Sequence, residues 1–241
     1  MLDAAASAAD IVAALVDLGD PDRAARSRSF FKTGPGEYGE GDEFVGIRVP
    51  ELRKLAGRLR GLPAATITEL LDSPLHEARL LALLTLTANF VARDSDQAFW
   101  VAQYRGAVRA GRVNNWDLVD CSADPILGAY LLAAGDFSEL LDWASAEDLW
   151  QRRVGIVGTA AFINAGRPDA ILGVAPLVVG DRRDLIQKAL GWMLREAGKR
   201  VDRAVLTDYL DGHAAQMGRT ALSYAVEHLS PEERARYRAM R

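Results

Sequence analysis

Apolar residues recur at i, i+3, i+4 and i+7 along almost the whole chain, the spacing that lays one face of an α-helix against a core. The pattern predicts helices over 4–18, 21–31, 49–60, 65–72, 76–93, 95–110, 115–122, 124–134, 147–165, 168–179, 182–199, 201–210 and 217–228. Short punctuation separates them, as at Gly61-Leu62-Pro63, Ser73-Pro74, Gly166-Arg167-Pro168 and Gly180-Asp181, and Asp, Ser and Pro stand where helices would open. No Val/Ile alternation is long enough for a sheet, so the chain reads as all-α. The exception is KTGPGEYGEGD, Lys32 to Asp42, whose four glycines and Pro35 exclude a helix interior. It lacks the Gly-Lys-Ser/Thr ending of a Walker loop. It is either a long connector or a mobile loop that touches a ligand.

A second periodicity is longer. HEARLLAL from His76, WQRRVGIV from Trp150 and IQKALGWM from Ile186 align on Glu77, Gln151 and Gln187, at offsets of 74 and 36 residues. Two periods of 37 and one of 36 match the length of a HEAT-like helical-pair repeat. One period after Glu77 falls on Asn114, which opens NNWDLVD and puts Arg79, Trp116 and Arg153 in equivalent positions. In a helical solenoid such positions line one concave surface. The expected architecture is one domain over 1–241, a curved right-handed α-solenoid of HEAT-like helical pairs with 32–42 as an insert.

Composition narrows the function classes. A chain of 241 residues with 49% apolar and 26% charged residues can bury a sizeable core. The single cysteine, Cys121, excludes an intramolecular disulfide and a cysteine zinc site. His76, His213 and His228 form no metal motif and read as surface or satisfied residues. The first twenty residues carry Asp3 and Asp10 and no basic n-region, so they read as an amphipathic helix and not a signal peptide. With no apolar run of membrane-spanning length, the expected compartment is the cytoplasm.

The net charge of −4 speaks against a polyanionic partner, but the charges are unevenly placed. Residues 181–203 carry Arg182, Arg183, Lys188, Arg195, Lys199, Arg200 and Arg203 against four acids. Arg105, Arg109 and Arg112 form a second basic run, and Arg23, Arg26, Arg28 and Lys32 a third. Such stripes suit phosphates and solvated helix faces equally.

Against this background Trp116 and Asp120 stand out. Four residues apart, an indole and a carboxylate share one helical face. Trp192 has Lys188 and Arg195 on its own face, and Trp150, Arg152 and Arg153 lie between the two segments. Aromatic faces, one carboxylate and several cations suit a cationic or stacked group beside a polyanion. Taken singly, both tryptophans also fit a core, and Asp120 fits an ordinary helix acid or a partner of Arg153.

Four motifs in order, FVGIRVPELRKLA at 44–56, NNWDLVD at 114–120, LWQRRVGIV at 149–157 and IQKALGWMLREAGK at 186–199, give the chain a wider likeness. It resembles the AlkD-like DNA alkylation repair family, bacterial DNA glycosylases built of HEAT-like helical pairs. The resemblance places the family's catalytic aspartate on Asp120, its tryptophan one turn earlier on Trp116 and its second active-site tryptophan on Trp192. The phosphate-contacting arginine falls on Arg153, and Arg152, Lys188, Arg195 and Lys199 become candidates for further DNA contacts. Asn115 departs from founding members, which have a second tryptophan there, and the Gly-rich insert looks like a feature of a sub-branch.

The resemblance implies hydrolysis of the N-glycosidic bond of N3- and N7-alkylated purines in double-stranded DNA, without base flipping, by a monomer that needs no metal or cofactor. The residues suit that chemistry. An alkylated purine is cationic and leaves without a general acid, so the task is to stabilise charge developing on the sugar. Two other readings compete: a non-catalytic binder of branched or damaged DNA on the same scaffold, and a protein-interaction scaffold.

Overall fold

The computed structural model describes residues 2–240, and among them every regular element is helical. A bridge of strand type pairs Glu43 with Leu75. By contact the chain divides after Ser122 into two compact units.

The first unit holds α1 (Ala8–Asp17), α2 (Pro21–Phe30), α3 (Val49–Arg58), α4 (Ala64–Leu71), α5 (His76–Phe90), α6 (Gln97–Arg109) and α7 (Trp116–Asp120). Its centre is α5, which packs on α1, α3, α4, α6 and α7. HEARLLALLTLTANF is apolar on nearly every side, and all but two of its 15 residues are buried, as a helix enclosed by others requires. Most of the polar groups it buries are paired, Arg79 Nε being an exception. Glu77 accepts from the backbone N–H groups of Val45 (3.1 Å), Gly46 (2.7 Å) and Ile47 (3.3 Å), and Asn89 bridges Gly61 N–H and the Leu62 carbonyl. Gly46 has φ +87°, and a Cβ there would meet the Asp20 carbonyl, so this turn requires glycine.

The second unit opens with a π-helical turn, Ala123–Gly128. It continues through α8 (Ala129–Ala134), α9 (Ser138–Ser145), α10 (Leu149–Val157), α11 (Ala160–Asn164), α12 (Asp169–Val178), α13 (Asp184–Arg200), α14 (Arg203–His213), α15 (Arg219–Ala225) and α16 (Pro231–Ala239). Here α13 is central, packed on α10, α11, α12, α14 and α15. Several consecutive helices pack as pairs, α4 on α5 in the first unit and α9 on α10 and α13 on α14 in the second.

Two features follow the repeat. Gly155 and Gly191, each four residues after the aligned glutamines, let a neighbouring backbone approach. A Cβ on Gly155 would lie 2.7 Å from the Leu140 carbonyl of α9, and one on Gly191 would run into Ala221 and Tyr224 of α15. The equivalent arginines Arg79 and Arg153 each reach the start of the next repeat. Arg79 Nη1 donates to Asn114 Oδ1 (2.6 Å), and Arg153 Nη1 donates to the Leu185 carbonyl (2.5 Å).

Most predicted helices recur with ends shifted by a few residues, and four differences are informative. The 115–122 helix stops at Asp120, because Pro125 has no N–H and its ring opposes the carbonyl of Cys121 four residues back. The chain then widens into the π-turn in place of a helix from 124. The 147–165 helix is split at Gly158-Thr159, where the Thr159 hydroxyl bonds to the Ile156 carbonyl (2.6 Å). Helices α9 and α16 were not foreseen: α9 spans only eight residues, and α16 is polar on every side but that of Tyr237.

Candidate active site

Helix α7 is little more than one turn, with Trp116 as its first residue and Asp120 as its last. Both side chains are half-buried, whereas Leu118 and Val119 between them are fully buried. Asn115 caps the helix: its Oδ1 accepts from the Trp116 N–H (2.8 Å). The Asp120 charge reaches inward as well. Burial, with a contribution from that charge, pushes the Tyr104 hydroxyl and the Cys121 thiol well above their ordinary ranges.

The Trp116 indole is braced by rings. Phe31 stacks on it with centroids 5.3 Å apart, and Phe30 meets it edge-on at 5.8 Å. Phe31 in turn stacks on Phe44 (5.0 Å), which stacks on the His76 imidazole (4.6 Å). Phe30, the last residue of α2, keeps 64% of its surface exposed beside the indole.

Beneath this ladder lies a buried polar network. Asp42, the last residue of the Gly-rich segment, accepts from His76 Nδ1 (3.0 Å), from Arg79 Nη2 and from Asn115 Nδ2 (3.3 Å). The other imidazole nitrogen, Nε2, lies 2.8 Å from Asp117 Oδ2. Burial opposes a charge on His76. The hydrogen bonds to Asp117 and Asp42, together with their negative charges, outweigh it and lift the imidazole to about 9. Burial likewise opposes ionisation of Asp42, yet His76 and Arg79 hold its carboxyl below the usual range. The Gly-rich segment is thus tied down, with Gly39 N–H donating to the Lys32 carbonyl and Glu43 paired to the start of α5.

The other sequence-chosen residues belong to the second unit, on α10 and α13, which pack together. Trp192 is half-buried in the middle of α13. Arg153 is buried, 4% exposed, with its guanidinium on the Leu185 carbonyl. Arg152 donates to the Ala146 and Ser145 carbonyls and pairs with Asp181 (2.7 Å), which Arg183 also grips. Those two arginines hold the Asp181 carboxyl down at about 2 against the effect of burial. Lys188 pairs with Asp184 (2.7 Å), and Arg195 with Glu196 (3.1 Å) and Glu227. Lys199 is exposed and, among the described residues, has no carboxylate partner.

The first unit thus holds an indole and a carboxylate one turn apart beside an aromatic wall, and the second a half-buried tryptophan on a basic helix. The sequence profile of the DNA alkylation repair enzymes matches residues 11–229. The chain belongs to that family. Among solved structures it is similar to one described as a predicted DNA alkylation repair enzyme from Enterococcus faecalis. That likeness has a TM-score of 0.71 and 19% identity, over 88% of this chain and 97% of the other. It supports the fold. No curated protein matches. Among the described residues no helix is long and apolar enough to cross a membrane.

Sequence reasoning singled out Trp116, Asp120 and Trp192 but passed over Asp42, His76, Asp117 and the Phe30–Phe31 pair. His76 was expected to be a surface or satisfied residue, and it is satisfied, as a buried cation between two acids. Its signal was present in the sequence only as the first residue of a helix equivalent to those bearing the other motifs.

Proposed function

We propose that this member of the DNA alkylation repair family is a glycosylase that hydrolyses the N-glycosidic bond of cationic N3- and N7-alkylated purines in duplex DNA. The observation that carries this reading is the half-buried pair on α7, a braced indole and a carboxylate separated by one turn. A face of Trp116 attracts the cationic base by about 0.5–2 kcal/mol. Asp120 stabilises the positive charge that grows on the sugar as the bond breaks, and orients the water that completes hydrolysis. Because the alkylated base is already a good leaving group, no acid has to protonate it. A lesion that needs only a carboxylate at the sugar and an indole at its face does not need to be flipped into a pocket.

On the second unit we assign Trp192 to nucleotide contact and Lys199, Lys188 and Arg195 to phosphates. Arg153 and Arg152, engaged by carbonyls and by Asp181, act chiefly by shaping the surface that meets DNA. The deciding experiment is release of 7-methylguanine and 3-methyladenine from methylated duplex DNA, followed by mass spectrometry of the free bases. Free base above the spontaneous rate is the expected result, and none at saturating enzyme would remove the glycosylase reading.

One observation favours a second reading, a non-catalytic binder of damaged or branched DNA. Asn115 is fully buried and engaged in capping, so the position offers no second indole to a lesion. Tight DNA binding with no base release would establish that alternative.

A further inference from the structure

We propose that Asp42 and His76 are positioning residues for the α7 pair: the Gly-rich strap carries a buried carboxylate to the foot of α7, and the imidazolium links it to Asp117, so that together they fix where Trp116 and Asp120 point. The proposal rests on the reading of α7 as the catalytic element. It gives the strap a role that neither connector nor mobile ligand loop describes.

The need for such a device follows from the length of α7. Five residues cannot hold a helix by their own hydrogen bonds. Pro125 prevents α7 from being extended into a longer one. Burial of Leu118 and Val119 fixes its inner face, and the polar side chains that hold its N-terminus all lead to one place. Asn115, the cap, donates to Asp42, and Asp117 meets His76. Asn114, just ahead of the cap, accepts from Arg79, which also grips Asp42. Two acids and two cations balance in a space where Asp42, His76 and Arg79 are each less than a tenth exposed. In such surroundings the loss of one partner leaves a buried charge uncompensated, and the neighbours must move. The imidazole also closes the ring ladder that ends on the Trp116 face, so a shift of His76 reaches the indole by two routes.

The charged groups that face His76 are few. Asp42 comes from the strap, Arg79 from α5 and Asp117 from α7, while neighbouring Glu77 is turned to the N–H groups of 45–47. Cys121 and Tyr104, which feel the Asp120 charge at the end of α7, are both pushed upward, chiefly by burial. Between neutrality and the His76 value of about 9, the imidazole is the member of this set that changes charge.

The test titrates wild-type protein from pH 7 to pH 10. It reads the His76 ring resonances, the Trp116 indole resonance (assigned with Trp116→Phe) and single-turnover release of 7-methylguanine. The expected result is that indole and rate move together with the His76 titration. Asp42→Asn should bring that midpoint down and, at pH 7, slow release by about 10²-fold through misplacement of the reacting groups, with DNA affinity little changed. An Asp42→Asn enzyme that is folded and releases base at the wild-type rate overturns the proposal. If that variant does not fold, the wild-type titration decides: an indole resonance that stays still while His76 loses its proton overturns it, and one that moves supports it. Wild-type protein that releases no base would end the glycosylase reading alone, since the indole titration is read without DNA.

Discussion

At Asp120 the charge is what the proposed reaction uses. Asp120→Asn keeps the size and polarity of the side chain at the end of α7 and removes the negative charge that the proposed reaction would set beside the sugar. Loss of a comparable electrostatic stabiliser costs about 10²–10³ in rate. Single-turnover release should fall by that factor while DNA affinity holds or rises, because a carboxylate near phosphates is repelled. Excision at the wild-type rate would make Asp120 structural. His76 makes a different prediction, about stability. Its folded value of about 9 lies above the unfolded value of 6.5, so its contribution is fully present below about pH 6.5 and is lost as pH rises through 9. Urea midpoints should therefore decline between neutrality and pH 10, and the decline should be shallower in His76→Gln. Equal declines in the two proteins would show that the imidazole is not charged in the fold.

Among the elements, α13 carries two kinds of polar residue that sequence alone did not separate. Lys188 and Arg195 face carboxylates of the protein itself, and Lys199 does not. Lys199→Ala should lower the salt slope of DNA binding by about 1 with no change in melting temperature. Arg152→Ala should do the reverse, since it takes one of two arginine partners from a half-buried acid and a side-chain donor from two carbonyls. Anisotropy titrations at several salt concentrations, paired with thermal melts, distinguish the two. The same helix depends on Gly191 for its contact with α15. Gly191→Ala should destabilise the protein by about 1–3 kcal/mol through overpacking against backbone that cannot retreat, and chemical denaturation measures it. An unchanged midpoint would mean that the α13–α15 contact is looser than the structure has it.

For the molecule as a whole, charge is the property that bears on DNA. The net charge is −4, and many of the cations are paired, as in Arg112–Asp72, Arg167–Asp169, Arg200–Glu196, Arg203–Glu233 and Arg236–Asp211. Binding to undamaged duplex should consequently release few counterions. A log–log salt slope of about −2 to −4 is expected, corresponding to a handful of phosphates. A slope near zero would point to a protein-interaction scaffold, and one much steeper would mean that the internal ion pairs open on DNA.

Periodicity sufficed for the all-helical fold, because a 3.6-residue apolar spacing is a local property that survives whatever the helices pack against. It also made Trp116 and Asp120 candidates, since residues one turn apart share a face in any helix, while the longer motifs added Trp192 and carried the family. The repeat offset showed where equivalent helices begin, and it located Arg79 and Arg153 without saying that both would turn inward to the next repeat. Asp42 could not be read in advance. It lies 34 residues from His76 and 73 from Asn115, in a segment whose glycines speak only of turns. Only the packed structure decided that its carboxylate would be buried, that an imidazole would stay charged beside it, and which cations would be left for solvent. Each of those outcomes depends on distances between segments far apart in sequence, and a buried charge takes its energy from whatever groups those distances place around it.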